Sequence, residues 1–161
     1  MSVHVYGCNH VVIEVTDAKK AVKFYQDVFG LKMLRGGEVI ELTSDLGGGK
    51  TTFVRGLVRG TRSTDKVASP TFTISKQYRA KHFEIHHFDF YRLAEPGIVA
   101  DELAEVLGDQ RVVVVVEWAD VVQHVLPAER LSIEIAQTPE GNRSFTFRAA
   151  RGLDYLLEGL R

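Results

Sequence analysis

Apolar β-branched runs alternate with segments of helical periodicity through the first half of the chain. The run HVVIEV (10–15) is typical of a strand. Apolar residues then recur at helical spacing over 18–29, which predicts a helix that ends at Gly30. A second strand is predicted at 38–42 (EVIEL), and a second helix from about 50 to 58.

The second half of the chain is richer in strand patterns. The run VVVVV (112–116) is typical of a central parallel strand that is covered on both faces. Further strands are predicted at 71–79, 82–90, 131–135 and 144–148, and short helices or turns at 101–107, 121–124 and 152–160. We therefore expect an α/β fold: a mixed sheet flanked by helices, with a C-terminal β-hairpin and a short closing helix.

Composition restricts the class of protein. The chain has 161 residues, 45% hydrophobic and 25% charged, with a net charge of -1. These values predict one globular domain over 1–161 and exclude a disordered or collagen-like chain. The single cysteine excludes a disulfide scaffold. No signal peptide pattern is seen, and the longest apolar run is far shorter than the roughly 20 residues of a membrane helix, so we expect a cytoplasmic protein without a membrane segment.

A glycine-rich segment carries the strongest chemical signal. SDLGGGKT (44–51) lies between a predicted strand and a predicted helix, and it matches the end of the phosphate-binding pattern GxxxxGK[ST]. Consecutive glycines let backbone N–H groups turn inward toward a phosphate, and the following helix adds its positive end. Lys50 is then expected to reach the β- and γ-phosphates, and the Thr51 hydroxyl to bind Mg²⁺.

One residue departs from that pattern. Ser44 stands where the first glycine belongs, and its Cβ is expected to strain the turn or to weaken nucleotide binding. Two alternatives remain at this point: a glycine-rich turn that binds nothing, and a loop that forms but has lost strong nucleotide affinity.

Two carboxylates are candidates for the metal and the attacking water. Glu117 directly follows the run 112–116, so it is expected at the carboxyl end of a central strand, where open α/β sheets bind ligands. Asp89 lies near the end of the strand 82–90 and is a second candidate ligand for Mg²⁺. A solvent-exposed acid is the alternative at each position.

The expected roles of other polar and aromatic residues follow from their positions near these motifs. Thr71, in SPTF (69–72), is a candidate contact to the γ-phosphate or its metal, with a plain proline turn as the alternative. Trp118 is expected to pack over the site or a base, with packing in the core or against a partner as the alternative. His86 and His87 are adjacent on a predicted strand and so face opposite ways, which favours structural roles over a shared metal.

Over about residues 38–150 the chain resembles the TsaE (YjeE) family, small P-loop ATPases of bacterial tRNA threonylcarbamoyladenosine biosynthesis. The resemblance depends on several separated motifs in register. They are DLGGGKTTFVRGL from Asp45, SPTFTI from Ser69, the tyrosine Tyr78, HHFDFYRL from His86 and VEW ending at Trp118. Within the first motif, Gly48 stands where the family more usually has alanine.

The resemblance implies a small P-loop sheet flanked by helices that binds ATP with Mg²⁺ and hydrolyses it slowly. It implies a partner, the TsaD–TsaB heterodimer, which the ATPase cycle resets, so that tRNA is contacted only through the complex. Glu117, Asp89 and Lys50 would be catalytic, and Thr51, Asp89 and Glu117 would serve the metal. The nucleotide would be bound by Asp45, Leu46, Gly47, Gly48, Gly49, Lys50, Thr51, Thr52, Thr71 and Trp118.

The N-terminal segment has a different resemblance. Residues 10–33 are similar to the opening of the vicinal oxygen chelate superfamily, in which His10 would match a metal-binding histidine. The rest of that fold does not follow. Our hypothesis is a chimera in which 1–36 is a strand–helix segment of different ancestry that completes the sheet of a TsaE-like core over 37–161.

Three functional interpretations follow from the sequence. The first is an ATPase subunit of the tRNA-modifying complex. The second is a nucleotide-binding interaction module with little or no ATPase activity. The third, a metal-dependent enzyme of the chelate fold, is favoured only by the first third of the chain.

Overall fold

A computed structural model of the chain describes residues 2–5, 10–15, 35–95 and 97–160. Its strands are β1 (Ser2–Val5), β2 (His10–Val15), β3 (Val39–Ser44), β4 (Ser75–Arg79), β5 (Glu84–Asp89), β6 (Val112–Glu117), β7 (Leu131–Gln137) and β8 (Arg143–Ala149). Its α-helices are α1 (Lys50–Gly60) and α2 (Gly97–Val106), and two 3₁₀ helices follow at Ala119–Val122 and Asp154–Leu160.

The described strands form one mixed sheet in the order β1-β2-β8-β7-β3-β6-β5-β4. Strands β7, β3, β6 and β5 run parallel to one another at its centre. Strand β4 is antiparallel at one edge, and β8, β2 and β1 are antiparallel at the other. The expected mixed α/β sheet with a C-terminal hairpin is therefore confirmed, and the carboxyl ends of its four parallel strands share one edge.

Strand β6 is buried along its whole length, as its apolar run predicts. On one face, Val113 and Val115 belong to the apolar cluster that includes Phe53 and Leu57 of α1. On the other face, Val114 and Val116 belong to a second cluster with Phe88 and, from α2, Leu103. The centre of the sheet is thus covered on both sides, and its parallel strand ends are rigidly held.

Several predicted boundaries were wrong by a few residues. The strand expected at 71–79 begins only at Ser75, because the backbone N–H groups of Thr73 and Ile74 both donate to the Pro70 carbonyl and close a turn. The strand expected at 82–90 is shortened to β5. The helix expected at 101–107 begins earlier, at Gly97, and the one expected at 121–124 is the 3₁₀ helix Ala119–Val122.

The N-terminal segment contributes strands to the same sheet. The predicted strand at 10–15 is β2, and it pairs antiparallel with β8 from His10↔Arg148 to Val15↔Arg143. Strand β1 was not predicted. The helix predicted over 18–29 lies outside the described residues. Within the described ranges, no helix is both long and apolar enough to cross a membrane.

Candidate functional site

The glycine-rich loop joins the end of β3 to the start of α1 and leaves open space above itself. Gly47 and Gly49 have φ values of 76° and 117°, a region that favours glycine. A Cβ added at either residue would meet no heavy atom within 4 Å. The Gly48 N–H donates to the Asp45 carbonyl at 3.0 Å, which closes the loop below. The loop is therefore tightly turned and has open space beside Gly47 and Gly49.

Lys50 begins α1, and its ammonium group lies against this loop. Its Nζ donates to Ser44 Oγ at 3.0 Å and to the backbone oxygens of Ser44 and Asp45 at 3.2 and 3.3 Å. The same atom lies 4.4 Å from the centre of the Trp118 ring, within cation–π range. Burial lowers the pKa of Lys50, and the negative charges of nearby carboxylates, Glu117 foremost, oppose that shift.

The two predicted carboxylates lie side by side. Asp89 and Glu117 are register partners at the ends of β5 and β6, and each is only 3% exposed. The solvent-exposed alternative is therefore wrong for both residues. Two buried acids at adjacent strand ends, beside a lysine, form a charge arrangement that suits a bound cation.

Asp89 is also hydrogen-bonded to the segment before β4. Its Oδ2 accepts a short hydrogen bond from the Thr71 hydroxyl, and its Oδ1 accepts the backbone N–H of Tyr91 at 3.0 Å. The Thr71 hydroxyl lies 2.6 Å from Ser69 Oγ. Thr71 is thus hydrogen-bonded to Asp89, and its contact with a γ-phosphate or a metal stays a prediction.

Trp118 has an uncommon backbone conformation for its residue type. Its φ is 57°, in the left-handed region, directly after Glu117. Its ring packs on that of Tyr91, with centroids 5.0 Å apart, as well as over Lys50. The strained backbone therefore places the indole at the site, where a strained residue is most often functional.

A cavity of about 290 Å³ lies above the loop and brings these groups together. Asp45 is the one predicted nucleotide-binding residue that does not line it, since its backbone oxygen is used within the loop. Ser69 and Tyr91 line the cavity and were not assigned to the site, although both lie inside the recognised motifs. The lining residues are Leu46, Gly47, Gly48, Gly49, Lys50, Thr51, Thr52, Ser69, Thr71, Asp89, Tyr91, Glu117 and Trp118.

The adjacent histidines face opposite ways, as expected. His86 Nε2 lies 3.3 Å from Glu84 Oε2, and His87 Nε2 lies 2.8 Å from Glu117 Oε1. The second contact was missed, although His87 lies two residues before Asp89 on β5 and so shares its face. In the described part of the chain, no three His, Cys, Asp or Glu residues are grouped as a metal site. A Mg²⁺ ion bound with a phosphorylated substrate needs only one or two carboxylates.

Ser44 occupies the space that a side chain at Gly48 would take. A Cβ on Gly48 would lie 2.6 Å from Ser44 Oγ and 2.8 Å from Ser44 Cβ. Ser44 ends β3, where the backbone is extended, so the turn strain expected from its Cβ does not arise. A side chain at position 48 and the serine at position 44 would therefore compete for the same space.

The parallel strand ends, the glycine loop opening α1 and the paired acids together define a P-loop α/β protein. The family model described as "Threonylcarbamoyl adenosine biosynthesis protein TsaE" matches residues 15–145. The chain belongs to the TsaE family, whose named members take part in tRNA threonylcarbamoyladenosine biosynthesis. The matched range begins inside the segment of the proposed chimera, and the different ancestry of 1–36 stays a hypothesis.

Individual relatives agree with this assignment. The chain is 40% identical to the TsaE protein of Bacillus subtilis over 115 residues, which are 70% of each chain. It is 34% identical to the TsaE protein of Treponema pallidum over 115 residues, covering 71% of this chain and 84% of the relative. A crystal structure of Bacillus subtilis YdiB superposes with a TM-score of 0.76 at 28% identity, covering 99% of this chain and 96% of the other.

Proposed function

We propose that this chain is a Mg²⁺-dependent ATPase that turns over slowly alone and supports tRNA threonylcarbamoyladenosine modification by binding and resetting a TsaD–TsaB complex. One observation carries the ATPase proposal. Lys50, Asp89 and Glu117 meet in a single cavity above a glycine loop whose open side has no competing side chain.

The residues of the cavity fit Mg²⁺ and the phosphates of ATP. Backbone N–H groups of the loop and the start of α1 bind the phosphate chain, and Lys50 neutralises the β- and γ-phosphates. The Thr51 hydroxyl and the Asp89 carboxylate would hold the metal. Bound Mg²⁺ would supply positive charge to the phosphate oxygens as charge builds up on them.

Glu117 orients the water for hydrolysis. The water oxygen attacks the γ-phosphorus, the bond from that phosphorus to the β–γ bridging oxygen breaks, and ADP leaves with the electron pair. The proton of the water ends on inorganic phosphate or in solvent. Thr71, hydrogen-bonded to Asp89, lies where the loop before β4 can respond to the presence of the γ-phosphate.

Exposed apolar residues beside the cavity support a protein partner. Leu46 in the glycine loop is 71% exposed, and Phe72, next to Thr71, is 82% exposed. Both side chains leave apolar surface beside the cavity that a protein partner could cover. A TsaD–TsaB heterodimer is the partner that family membership favours, and tRNA is contacted through that complex.

The ATPase proposal is tested by comparing the chain with its Glu117→Ala variant. We expect the substitution to lower the hydrolysis rate by about 100-fold or more, because water loses its orienting carboxylate. ATP affinity, measured from the fluorescence of Trp118, should change far less. An unchanged hydrolysis rate in the variant would remove Glu117 from the mechanism.

The partner proposal is tested by assaying hydrolysis with and without a purified TsaD–TsaB pair. Turnover that rises when the pair is added supports the resetting role. The second candidate function is a nucleotide-binding interaction module, favoured by the three oxygen atoms of Ser44 and Asp45 that already hold Lys50. ATP binding and pair binding without turnover would select this candidate instead.

A further inference from the structure

The side chain of His87 contacts the carboxylate of Glu117. The His87 side chain is fully buried, and its Nε2 lies 2.8 Å from Glu117 Oε1. The two residues are on neighbouring parallel strands, β5 and β6, and the Glu117 side chain is itself 3% exposed. A buried hydrogen bond of this length between two rigid strands fixes the direction of the carboxylate.

The ring is turned so that Nε2 is the nitrogen that meets Glu117. A carboxylate oxygen accepts, so an N–H on Nε2 is the donor that this contact calls for. The other ring nitrogen, Nδ1, is buried and has no hydrogen-bond partner in the part of the chain that the structure describes. Glu117 is therefore the one side chain to which the ring is hydrogen-bonded there.

The His87 ring has a second contact, with the ring of Tyr78 on β4. The two ring centroids lie 6.4 Å apart. The Tyr78 hydroxyl in turn donates to the Ala68 carbonyl at 3.0 Å, in the segment that leads to Thr71. The imidazole therefore lies between Tyr78 on one neighbouring strand and Glu117 on the other.

We propose that His87 is a positioning residue for ATP hydrolysis, in which its Nε2–H donates to Glu117 Oε1 and holds the carboxylate in the orientation that the attacking water needs. This inference rests on the proposed ATPase function. It assigns His87 no contact with the nucleotide, so its loss should affect turnover and leave ATP affinity in place.

Three substitutions of His87 distinguish the effect of losing the hydrogen bond from the effect of losing the volume of the ring. In His87→Gln the amide nitrogen lies at the level of Nε2 and still donates to Glu117. In His87→Asn the amide nitrogen lies at the level of Nδ1 and does not donate to Glu117. The variant His87→Phe keeps an aromatic ring but has no hydrogen-bond donor. Because the two amides have the same polarity, a difference between them reports the position of the donor. Far-UV circular dichroism and thermal unfolding identify the variants that fold, and either H87N or H87F suffices as the donor-free variant.

We expect the donor-free variants to lower kcat by about 10- to 100-fold, the usual effect of losing a partner that orients a catalytic ligand. H87Q should retain most of the wild-type kcat. The dissociation constant of ATP, read from Trp118 fluorescence, should stay close to wild type in all three variants. His86→Asn is the matched control, because His86 is the next residue on β5 but faces the other way and contacts Glu84; its kcat should equal that of wild type.

The results that would contradict the role of His87 differ from the result that would contradict the ATPase proposal. Wild-type turnover in a folded donor-free variant, or an equal loss in H87Q and H87N, would overturn the positioning role while leaving the ATPase proposal standing. A loss of ATP affinity that accounts for the lower rate would overturn it as well. Absence of turnover in the wild-type chain, even with a TsaD–TsaB pair, would refute the ATPase proposal itself and the inference with it.

Discussion

At the scale of single residues, Ser44 and Gly48 compete for one space in the phosphate loop. The Ser44 hydroxyl donates to the Asp45 carbonyl at 2.9 Å and accepts from Lys50 at 3.0 Å, so the serine is part of the hydrogen bonding of the loop. Gly48 makes room for it. The φ of Gly48 lies outside the left-handed region, so alanine is opposed there by contact rather than by backbone conformation.

Substitution of Gly48 by alanine should disturb the loop, and removal of the Ser44 side chain should relieve the disturbance. Because the new Cβ would lie 2.6 Å from Ser44 Oγ, we expect G48A to lower the free energy of unfolding by about 1 to 3 kcal/mol. ATP affinity should fall by about tenfold, which is about 1.4 kcal/mol. Urea unfolding and Trp118 fluorescence measure the two effects.

The control for this prediction is a double-mutant cycle. The double variant S44G/G48A should recover most of the stability and ATP affinity that G48A loses, because the two side chains no longer collide. Additive losses in the pair would show that the two positions are independent.

At the scale of secondary structure, strand β8 contacts the phosphate loop, although β7 lies between β8 and β3 in the sheet. Its first residue, Arg143, donates from Nε to the Gly48 carbonyl at 3.2 Å. The same guanidinium donates to the carbonyls of Gly141 and Asn142 at 3.3 Å, in the turn between β7 and β8. The C-terminal hairpin therefore connects to the glycine loop through one side chain.

Arg143→Ala should loosen the loop without unfolding the sheet. Loss of a hydrogen bond of this type costs about 0.5 to 1.5 kcal/mol, so we expect ATP affinity to fall by about two- to tenfold. Isothermal titration with ATP measures the change. Arg148→Ala is the control, since Arg148 is on the same strand but is exposed and pairs with Glu134. An equal loss of affinity in the control variant would contradict a specific role for Arg143.

At the scale of the whole molecule, the chain is a covered sheet with a cavity at the edge where its parallel strands end. The C-terminal 3₁₀ helix is bonded to the residue before the central strand β3, where the Tyr155 hydroxyl donates to the buried carboxylate of Glu38. Burial raises the pKa of both groups.

Binding of Mg²⁺ and ATP should stabilise the whole fold by mass action. At 100 times the dissociation constant, the gain is about 2.7 kcal/mol, which for a domain of this size raises Tm by about 5 to 11 °C. Differential scanning fluorimetry with ATP and Mg²⁺ measures the shift, and chelation of Mg²⁺ with EDTA should reduce it. Lys50→Ala should abolish most of the shift; a full shift in that variant would place the nucleotide elsewhere.

Local sequence was sufficient for the features that depend on neighbouring residues. The run 112–116 predicted a doubly covered central strand, and the glycine loop was recognised because its chemistry is contained in eight consecutive residues. The positions of Asp89 and Glu117 followed from the rule that ligands meet the carboxyl ends of parallel strands. Boundaries such as the start of β4 were missed because they depend on a turn closed by the Pro70 carbonyl.

Only the tertiary structure decided which distant residues meet. The contact of His87 with Glu117 joins positions 30 apart, and that of Arg143 with Gly48 joins positions 95 apart. The order and register of the strands bring these residues together. The residues around each one in the sequence do not reveal that order or register. The sequence by itself determined the phosphate loop and the type of fold, because these follow from local backbone and hydrophobic patterning. The sheet determined which side chains hold that loop and orient its acids, because it alone brings them within hydrogen-bonding distance.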